Sequence, residues 1–230
     1  MTGVSRRGLL VGGAGLLVGA GATELGDRLS SSSPPAEPHV PSPGEELMVE
    51  HGVLKRVLLA YRAMSARLAD GRPLPSGVVT DAAQIVSSYV ESFHEGLEEA
   101  YVFPRVQDAE PELVRTLLVQ HDRGRHLTAA ILTAAGSGFG TAAARSALRA
   151  DLDAFVRMYE PHEAWEDTVV YPALRAATPQ RTLDELAERF ANLENKQFGD
   201  QALQQILDRV GGVEQQLGIH DLATFTPAAD

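Results

Sequence analysis

An eleven-residue motif occurs twice in this chain, with the same polar residue types at the same spacing. The first copy runs from His94 to Pro104 and the second from His162 to Pro172, 68 positions further along. Both copies read His-Glu-x-x-Glu-acid-x-x-Val-aromatic-Pro. In an α-helix, a histidine and a carboxylate four residues apart differ by about 40° of rotation and point the same way. Two such pairs, facing each other across a helical bundle, supply nitrogen and oxygen ligands for a pair of metal ions.

Composition restricts the chemistry of such a site. The chain has 230 residues, 44% of them hydrophobic, which is enough for one full core. Its net charge is −11, with 31 acidic and 20 basic residues and no basic stripe, so nucleic acid is not an expected partner. The absence of cysteine excludes disulfides, zinc–thiolate sites and iron–sulfur clusters. A metal site must therefore use histidine and carboxylate.

The first 22 residues have the features of a signal peptide. Arg6 and Arg7 precede an uncharged run of about 15 residues, shorter than the ~20 that span a bilayer, and Ala20-Gly21-Ala22 fits a cleavage site. The paired arginines resemble a twin-arginine signal, which carries folded proteins. We therefore predict export to a periplasmic or other extracytoplasmic location, with the export machinery as a transient partner and no membrane span in the mature form. An ordinary secretory signal and an uncleaved, tethered form are the alternatives.

The remaining chain divides into a linker, a bundle and an extension. Residues 23–43 are predicted to be a linker, because 30–43 is rich in serine and proline. Apolar residues spaced three and four apart predict an all-α fold over 44–177, an antiparallel up-down four-helix bundle. Residues 178–230 are predicted to add one or two helices, ending near Val210. The expected bundle helices start near Glu45, at Thr80 as N-cap, near Pro111 and at Thr141.

Each bundle helix places one histidine on its apolar column. One such histidine is usually a core residue, but four of them, accompanied by two carboxylates, indicate a metal site. Burying an ionised glutamate costs several kcal/mol unless it is compensated, and no lysine or arginine on these columns compensates Glu98 or Glu166. A cation would do so. Pro161 is expected to kink the fourth helix beside the ligands.

These residues resemble the hemerythrin-like (HHE cation-binding) domain, a four-helix bundle that holds a non-haem di-iron centre. The resemblance covers roughly residues 45–177. It implies two irons with an oxo or hydroxo bridge, and a protein that binds or reduces dioxygen, peroxide or nitric oxide. Whether such a protein is an enzyme stays open. The implied metal ligands are His51, His94, Glu98, His121, His162 and Glu166.

Two positions depart from the oxygen carriers of that family. Arg125 stands where those carriers have a further histidine, and His126 is turned about 140° from His121, which predicts a surface or supporting position for it. The carriers use a carboxylate five residues after the last histidine, here Asp167, whereas the internal repeat favours Glu166. Asp167 is therefore kept as the alternative ligand. One histidine fewer implies an open coordination position on one iron.

Other polar residues near the expected site have less certain roles. Glu95 and Glu163 either hydrogen-bond ligand histidines or face solvent. Tyr101, Tyr159 and Tyr171 either pack or donate a hydrogen bond to a bound oxygen species. The competing functions are iron storage or sensing without turnover, and a structural bundle without metal. A ferritin-like oxidase would instead show Glu-x-x-His pairs. Zinc accepts the same ligands, but four histidines and two glutamates are too many for one tetrahedral zinc. The oligomeric state is undecided.

Overall fold

The computed structural model describes residues 41–227, and all regular structure in that range is helical. The all-α prediction is confirmed. The predicted signal peptide at 1–22, and all but the last three residues of the predicted linker at 23–43, lie outside the described residues.

Six helices make up the described part of the chain. Four form the bundle and two follow it, and a short 3₁₀ turn, Leu222–Phe225, comes last. The helices are α1 (Pro43–Ala69), α2 (76–106), α3 (Pro111–Ser137), α4 (142–177), α5 (Gln180–Phe198) and α6 (Ala202–Leu217). Within residues 41–227 no helix is both long enough and apolar enough to span a bilayer.

Local sequence signals start three of these helices, and those of α3 and α4 are the predicted ones. The Ser42 hydroxyl accepts a hydrogen bond from the Glu45 N–H, and the Glu45 carboxylate accepts one from the Ser42 N–H at 2.7 Å, which caps α1. Pro111 opens α3 in its first turn. The Thr141 hydroxyl accepts from the Ala144 N–H at 3.1 Å and caps α4.

Two predicted boundaries are wrong. Helix α2 begins at Ser76 rather than after Thr80, because the earlier start buries Val78 and Val79 completely in the core. Helix α6 continues past Val210 to Leu217, which is also buried, and ends where Gly218 takes the left-handed conformation with φ 66°.

The four bundle helices form a closed ring. Helix α1 packs against α2 and α4, and α3 packs against the same two helices, as expected for an up-down bundle with short loops. Helices α5 and α6 cover the outer side of α1, and α6 also covers α2. There Arg56 donates two hydrogen bonds to Glu214, and the buried Tyr89 hydroxyl donates to Glu194 at 3.2 Å.

Both long composite helices contain a π-helical turn directly after a motif glutamate. These turns, Glu98–Val102 and Glu166–Val170, occupy equivalent positions in the two copies of the repeat. The N–H of Phe103 donates to the Glu98 carbonyl, and the N–H of Tyr171 to the Glu166 carbonyl, five residues back. Pro104 and Pro172, which lack an N–H, come directly after these two donors in the sequence.

The π turns also change which side chains face the bundle interior. Residues five apart point about 140° away from each other in an α-helix, and the i→i+5 register reduces that angle. Phe103 and Tyr171 therefore lie on the same side as the motif glutamates. Pro161 lies within the α-helical segment Ala142–Trp165, so the departure of α4 from α geometry follows His162 rather than preceding it.

Candidate metal centre

Four histidines and two glutamates meet inside the bundle. Each side chain is at least 96% buried. Helices α1 and α3 contribute one histidine each, and α2 and α4 contribute one histidine and one glutamate each. The six residues are His51, His94, Glu98, His121, His162 and Glu166, the six that the sequence nominated.

These side chains divide into two groups, each with ligand atoms within 4.8 Å of one another. Position I is the space enclosed by His51, His94, Glu98 and Glu166, and position II is the space enclosed by His121, His162 and Glu166. Glu166 belongs to both. One of its oxygens lies 3.1 Å from His162 Nε2, and the other lies 3.4 Å from His51 Nε2. Its carboxylate can therefore bridge two cations.

The unpartnered atoms of this cluster fit a cation. Both Glu166 oxygens, Glu98 Oε2 and His121 Nε2 are buried without a hydrogen-bond partner, which is costly for any polar atom and most of all for a carboxylate. The Nε2 atoms of His51 and His94 face each other at 3.0 Å. Two donors about 2.1 Å from one ion and at right angles around it are about 3.0 Å apart. The spacing matches two neighbouring ligands of one metal.

The outer nitrogen of each of these four histidine rings is held by an acceptor on a neighbouring helix. In a neutral ring whose Nδ1 donates its proton, Nε2 presents its lone pair to the centre. The four Nδ1 contacts are His51 to Asp167 at 2.7 Å, His94 to Glu50 at 3.0 Å, His121 to Glu99 at 3.0 Å and His162 to Gln120 at 2.9 Å.

Three of these acceptors were missed in the sequence: Glu50, Glu99 and Gln120. A signal for them existed, because each is adjacent in sequence to a ligand. Asp167, kept as an alternative ligand, contacts the outer side of the His51 ring and belongs to neither position I nor position II. His126 is exposed and contacts the Asp122 carbonyl, away from the cluster.

Glu95 and Glu163 take part in buried ion pairs beside the centre. Glu95 accepts hydrogen bonds from Tyr159 at 2.6 Å and Arg125 at 2.8 Å, and its nearest approach to His121 Nδ1 is 4.0 Å. Glu163 accepts from Lys55 at 2.6 Å. Neither faces solvent, and neither is the closest acceptor of a ligand histidine. Burial raises the pKa of both carboxyls, that of Glu95 to about 8, although Arg125 and Lys55 oppose this rise.

Burial and neighbouring charges set the protonation of the cluster when no cation is bound. Burial lowers the pKa of His94 and His121, so both rings are neutral at pH 7. Burial opposes the charging of His51, but its hydrogen bond to Asp167 and the nearby Glu166 carboxylate raise its pKa to about 10, so this ring is protonated at pH 7. Burial, and then the charge of Glu166, raise the pKa of Glu98. Metal binding must therefore displace protons here.

The three tyrosines near the expected site differ in position. Tyr171 donates to Glu98 Oε1 at 2.8 Å, lies 3.3 Å from His51 Nε2 and stacks on that ring. Tyr159 donates to Glu95. Tyr101 faces the extension, where it contacts Phe190 and Arg189. Tyr159 also packs edge-on against the His162 ring, with ring centroids 5.1 Å apart, but of these three tyrosines only Tyr171 hydrogen-bonds to one of the six residues.

Comparison with known families identifies the same architecture. The hemerythrin HHE cation binding domain matches residues 42–150 and again residues 112–220. The chain belongs to this family. The starts of the two matches differ by 70 residues, the separation of His51 and His121, so the second match follows the internal repeat. The HHE domain binds cations, and positions I and II are where the side chains of this member can hold them.

Close relatives of this HHE protein occur in mycobacteria. Proteins of Mycobacterium bovis and of two Mycobacterium tuberculosis strains are 42% identical over 209 residues, which cover 89% of this chain and 81% of each relative. All three are named as uncharacterized proteins. No solved structure matches the chain.

Proposed function

We propose that this protein is an exported, non-haem di-iron protein that binds or reduces a small oxidant: dioxygen, peroxide or nitric oxide. The observation that carries the proposal is the shared carboxylate of Glu166, unpartnered on both oxygens and placed between two histidine pairs. A single ion would leave one of those pairs without a cation.

The donor set supports iron over the other candidates. Imidazole and carboxylate together suit iron, and the absence of thiolates removes the ligands typical of structural zinc. Six protein ligands shared by two ions leave coordination positions for a bridge and for a small molecule. Iron at such positions would supply the redox chemistry.

The residues of the chain would perform the other tasks. The ring of Nδ1 acceptors fixes the histidines, so that binding costs little reorganisation. The buried apolar core around the cluster restricts access to small molecules. Arg125, in the place of a further histidine, donates to Glu95 and Glu99 and leaves position II with one nitrogen ligand fewer.

The first test is the iron content of the purified protein and its visible absorption spectrum. We expect about two irons per chain and charge-transfer bands of an oxo-bridged pair, because the six ligands form two positions. Protein that stays colourless and free of iron after ferrous iron is added under anaerobic conditions would overturn the proposal.

Repeated additions of peroxide separate an enzyme from a store. An enzyme returns to its starting spectrum after many equivalents, whereas a store or sensor bleaches or releases iron. The His94→Ala variant serves as the control for site-specific chemistry, since it removes a ligand of position I. Equal peroxide consumption by this variant and by the wild type would place the reaction elsewhere.

The proposed export rests on the apolar run and cleavage pattern of residues 1–22, and the twin-arginine route rests on Arg6 and Arg7; the route is tested separately. Replacing both Arg6 and Arg7 with lysine should keep the protein inside the cell if the twin-arginine route is used, since that route reads the pair itself. Fractionation of cells producing the wild type and this variant measures the change. Undiminished export of the variant would favour an ordinary secretory signal.

A further inference from the structure

A third group of side chains that can ligate a metal lies beside the buried cluster, where α2 packs against α3. It consists of His121, Glu95 and Glu99, and each of them offers one ligand atom within 4.8 Å of the other two. We call these three residues the outer group. Its imidazole and carboxylates are the donor types found in positions I and II, but neither position uses the two acids of the outer group.

The outer group extends from the protein surface to the metal centre. The side chain of Glu99 is 33% exposed, whereas those of Glu95 and His121 are buried. His121 takes part in both sites, because its Nδ1 lies 3.0 Å from Glu99 Oε1 and its Nε2 lies 3.5 Å from Glu98 Oε2 in the centre. Glu98 and Glu99 are consecutive residues at the start of a π turn. They therefore lie at opposite nitrogens of one imidazole ring.

A cationic side chain already binds the two acids of the outer group. One nitrogen of the Arg125 guanidinium donates to Glu95 Oε2 at 2.8 Å and to Glu99 Oε1 at 2.6 Å. A guanidinium that joins two carboxyl groups marks a place where positive charge is favourable, and a metal ion binds the same kind of oxygen. The Arg125 side chain is 39% exposed, so its charged end can move into solvent while its stem stays against the bundle.

A further carboxyl group lies next to the outer group on α2. Glu91 precedes Glu95 by four residues and therefore lies on the same face of the helix, where it is buried with Oε1 unpartnered. Burial raises the pKa of Glu91, and the charge of the nearby Arg125 opposes this rise. An arriving cation thus meets three carboxyl groups, Glu91, Glu95 and Glu99, and its charge favours their ionised forms.

The equivalent face of the bundle, between α1 and α4, is built differently. There Lys55 donates to Glu163 at 2.6 Å, and Asp167 accepts from His51 at 2.7 Å. Within the described residues, Glu163, Asp167 and His51 do not bring three ligand atoms within 4.8 Å of one another. Lys55 contacts one of these acids, whereas Arg125 joins two on the other face. The two faces therefore offer an incoming cation unequal sites.

We infer that the outer group is an entry site for metal ions, and that Arg125 covers it until an ion arrives. The ion then passes from Glu99 to Glu98 across the ring of His121. A neutral imidazole has one lone pair, so His121 serves either the outer group or the centre. A filled centre therefore deprives the entry site of its nitrogen ligand. The inference requires the cation binding of the family and no reaction with an oxidant.

The first test is the rate at which the metal-free, full-length protein takes up Co²⁺, measured by stopped-flow visible absorption. Glu99→Gln and Asp167→Asn form a matched pair, since each replaces the carboxylate on a ligand histidine with an amide, one on each face. Glu99→Gln should take up Co²⁺ about tenfold more slowly than Asp167→Asn, because it alone removes a charge from the entry site. Glu160→Gln removes an exposed carboxylate from α4 and should match the wild type.

The second test counts bound ions when the centre cannot fill. Glu166→Ala removes the carboxylate that positions I and II share and leaves His121 available to the outer group. In that background Arg125→Met, which removes the guanidinium but keeps an aliphatic stem, should bind one Co²⁺ per chain in equilibrium dialysis. Adding Glu99→Gln should abolish this binding. Lys55→Met makes the matching change on the opposite face and should bind no ion in the Glu166→Ala background.

The outcomes of the two tests are independent of the proposed function. Equal uptake rates for Glu99→Gln and Asp167→Asn overturn the entry route. A Glu166→Ala/Arg125→Met protein that binds no Co²⁺, or that still binds it after Glu99→Gln is added, overturns the outer group as a metal site. A protein that takes up Co²⁺ through the outer group but does not react with an oxidant would contradict the proposed function and leave the entry site standing.

Discussion

At the scale of single residues, Glu166 is the side chain on which both cation positions depend. It lies completely buried on α4, it has no hydrogen-bond donor on either oxygen, and it is four residues from His162, which points the same way. Its neighbour Asp167 lies outside the cluster and accepts a hydrogen bond from the outer nitrogen of His51, Nδ1. The two adjacent acids therefore contact opposite sides of the His51 imidazole.

The first prediction concerns these adjacent acids. Glu166→Ala should abolish binding at both positions, because each loses a ligand and the bridge is lost. Asp167→Asn keeps an acceptor for His51 and should weaken metal binding by about tenfold at most. The number of metal ions that each of the two variants retains after dialysis against a weak chelator measures these effects. Two ions retained by Glu166→Ala would contradict the assignment, and the exposed Glu160→Gln on the same helix is the control.

A second residue-scale prediction concerns Glu91, a buried carboxyl of α2 with one unpartnered oxygen. Burial raises its pKa above the ordinary 4.5. The folded state then holds a proton that the unfolded state has lost, so this stabilisation is complete below about pH 4.5 and disappears as pH rises through the folded pKa. Glu91→Gln cannot lose a proton. Its stability relative to the wild type should therefore be lowest near pH 4.5 and rise steadily towards pH 8.

Urea unfolding of the metal-free wild type and Glu91→Gln, each at pH 4.5, 6.5 and 8, gives the free energies of unfolding. The difference between the two proteins should grow with pH. A constant difference would mean that Glu91 ionises in the folded state as it does in the unfolded chain.

At the scale of helices, Gly124 sets how closely α3 approaches α4. A Cβ built on Gly124 would lie 1.9 Å from the Tyr159 hydroxyl and 2.8 Å from its ring, although that hydroxyl must reach Glu95. Glycine in a helix normally costs about 0.5–1 kcal/mol relative to alanine. At position 124 the clash that an alanine would make with Tyr159 costs more than the glycine does.

We predict that glycine-to-alanine substitutions in α3 and α1 change the stability of the protein in opposite directions. Gly124→Ala should destabilise the protein by about 1–3 kcal/mol, since Tyr159 must move out of a packed core. Gly52→Ala on α1, where nothing lies within 4 Å, should stabilise it by about 0.5–1 kcal/mol. Thermal unfolding of both variants measures the effect. A Gly124→Ala variant as stable as the wild type would show that the helices can separate without cost.

The spacing of residues in the sequence predicted which segments are helical better than it predicted the π-helical turns within them. The four bundle helices and the meeting of all six nominated ligands follow from apolar and polar residues at α-helical period, which is a local signal. The π turns at Glu98–Val102 and Glu166–Val170 were not foreseen, because an α-helical wheel rotates Tyr171 away from Glu166. The Nδ1 acceptors Glu50, Glu99 and Gln120 depend on contacts between helices, and single-chain periodicity carries no information about those.

At the scale of the whole molecule, the two C-terminal helices are fastened to the bundle by polar contacts as well as by apolar packing. Arg56 on α1 contacts both oxygens of Glu214 on α6, at 2.8 and 2.6 Å, and Arg67 donates to the Leu217 carbonyl at 3.1 Å. Glu214 is mostly buried, and Arg56 is its ion-pair partner.

Arg56→Ala should therefore lower the free energy of unfolding by about 1–2 kcal/mol, because a buried carboxylate loses a two-point partner. Arg181→Ala, which removes the partner of Glu185 in a solvent-exposed pair, should change it by less than about 0.5 kcal/mol. Chemical denaturation of the metal-loaded proteins compares them. Equal losses in the two variants would show that the contact between α6 and α1 rests on apolar packing alone.

The contacts of the ligand cluster are approximately twofold symmetric, since Glu50 on α1 holds His94 as Gln120 on α3 holds His162, and Glu99 holds His121 as Asp167 holds His51. This symmetry has a consequence for how such a protein can diversify. Two separate copies of one helical hairpin, meeting about a symmetry axis, would make the same cross-contacts, with each copy orienting the other's histidine. In such a homodimer every substitution appears twice, so the two halves stay identical. Joining the hairpins in one chain removes that restriction. Tyr171 opposite Phe103, and Glu50 opposite Gln120, are differences that only a fused duplicate can hold.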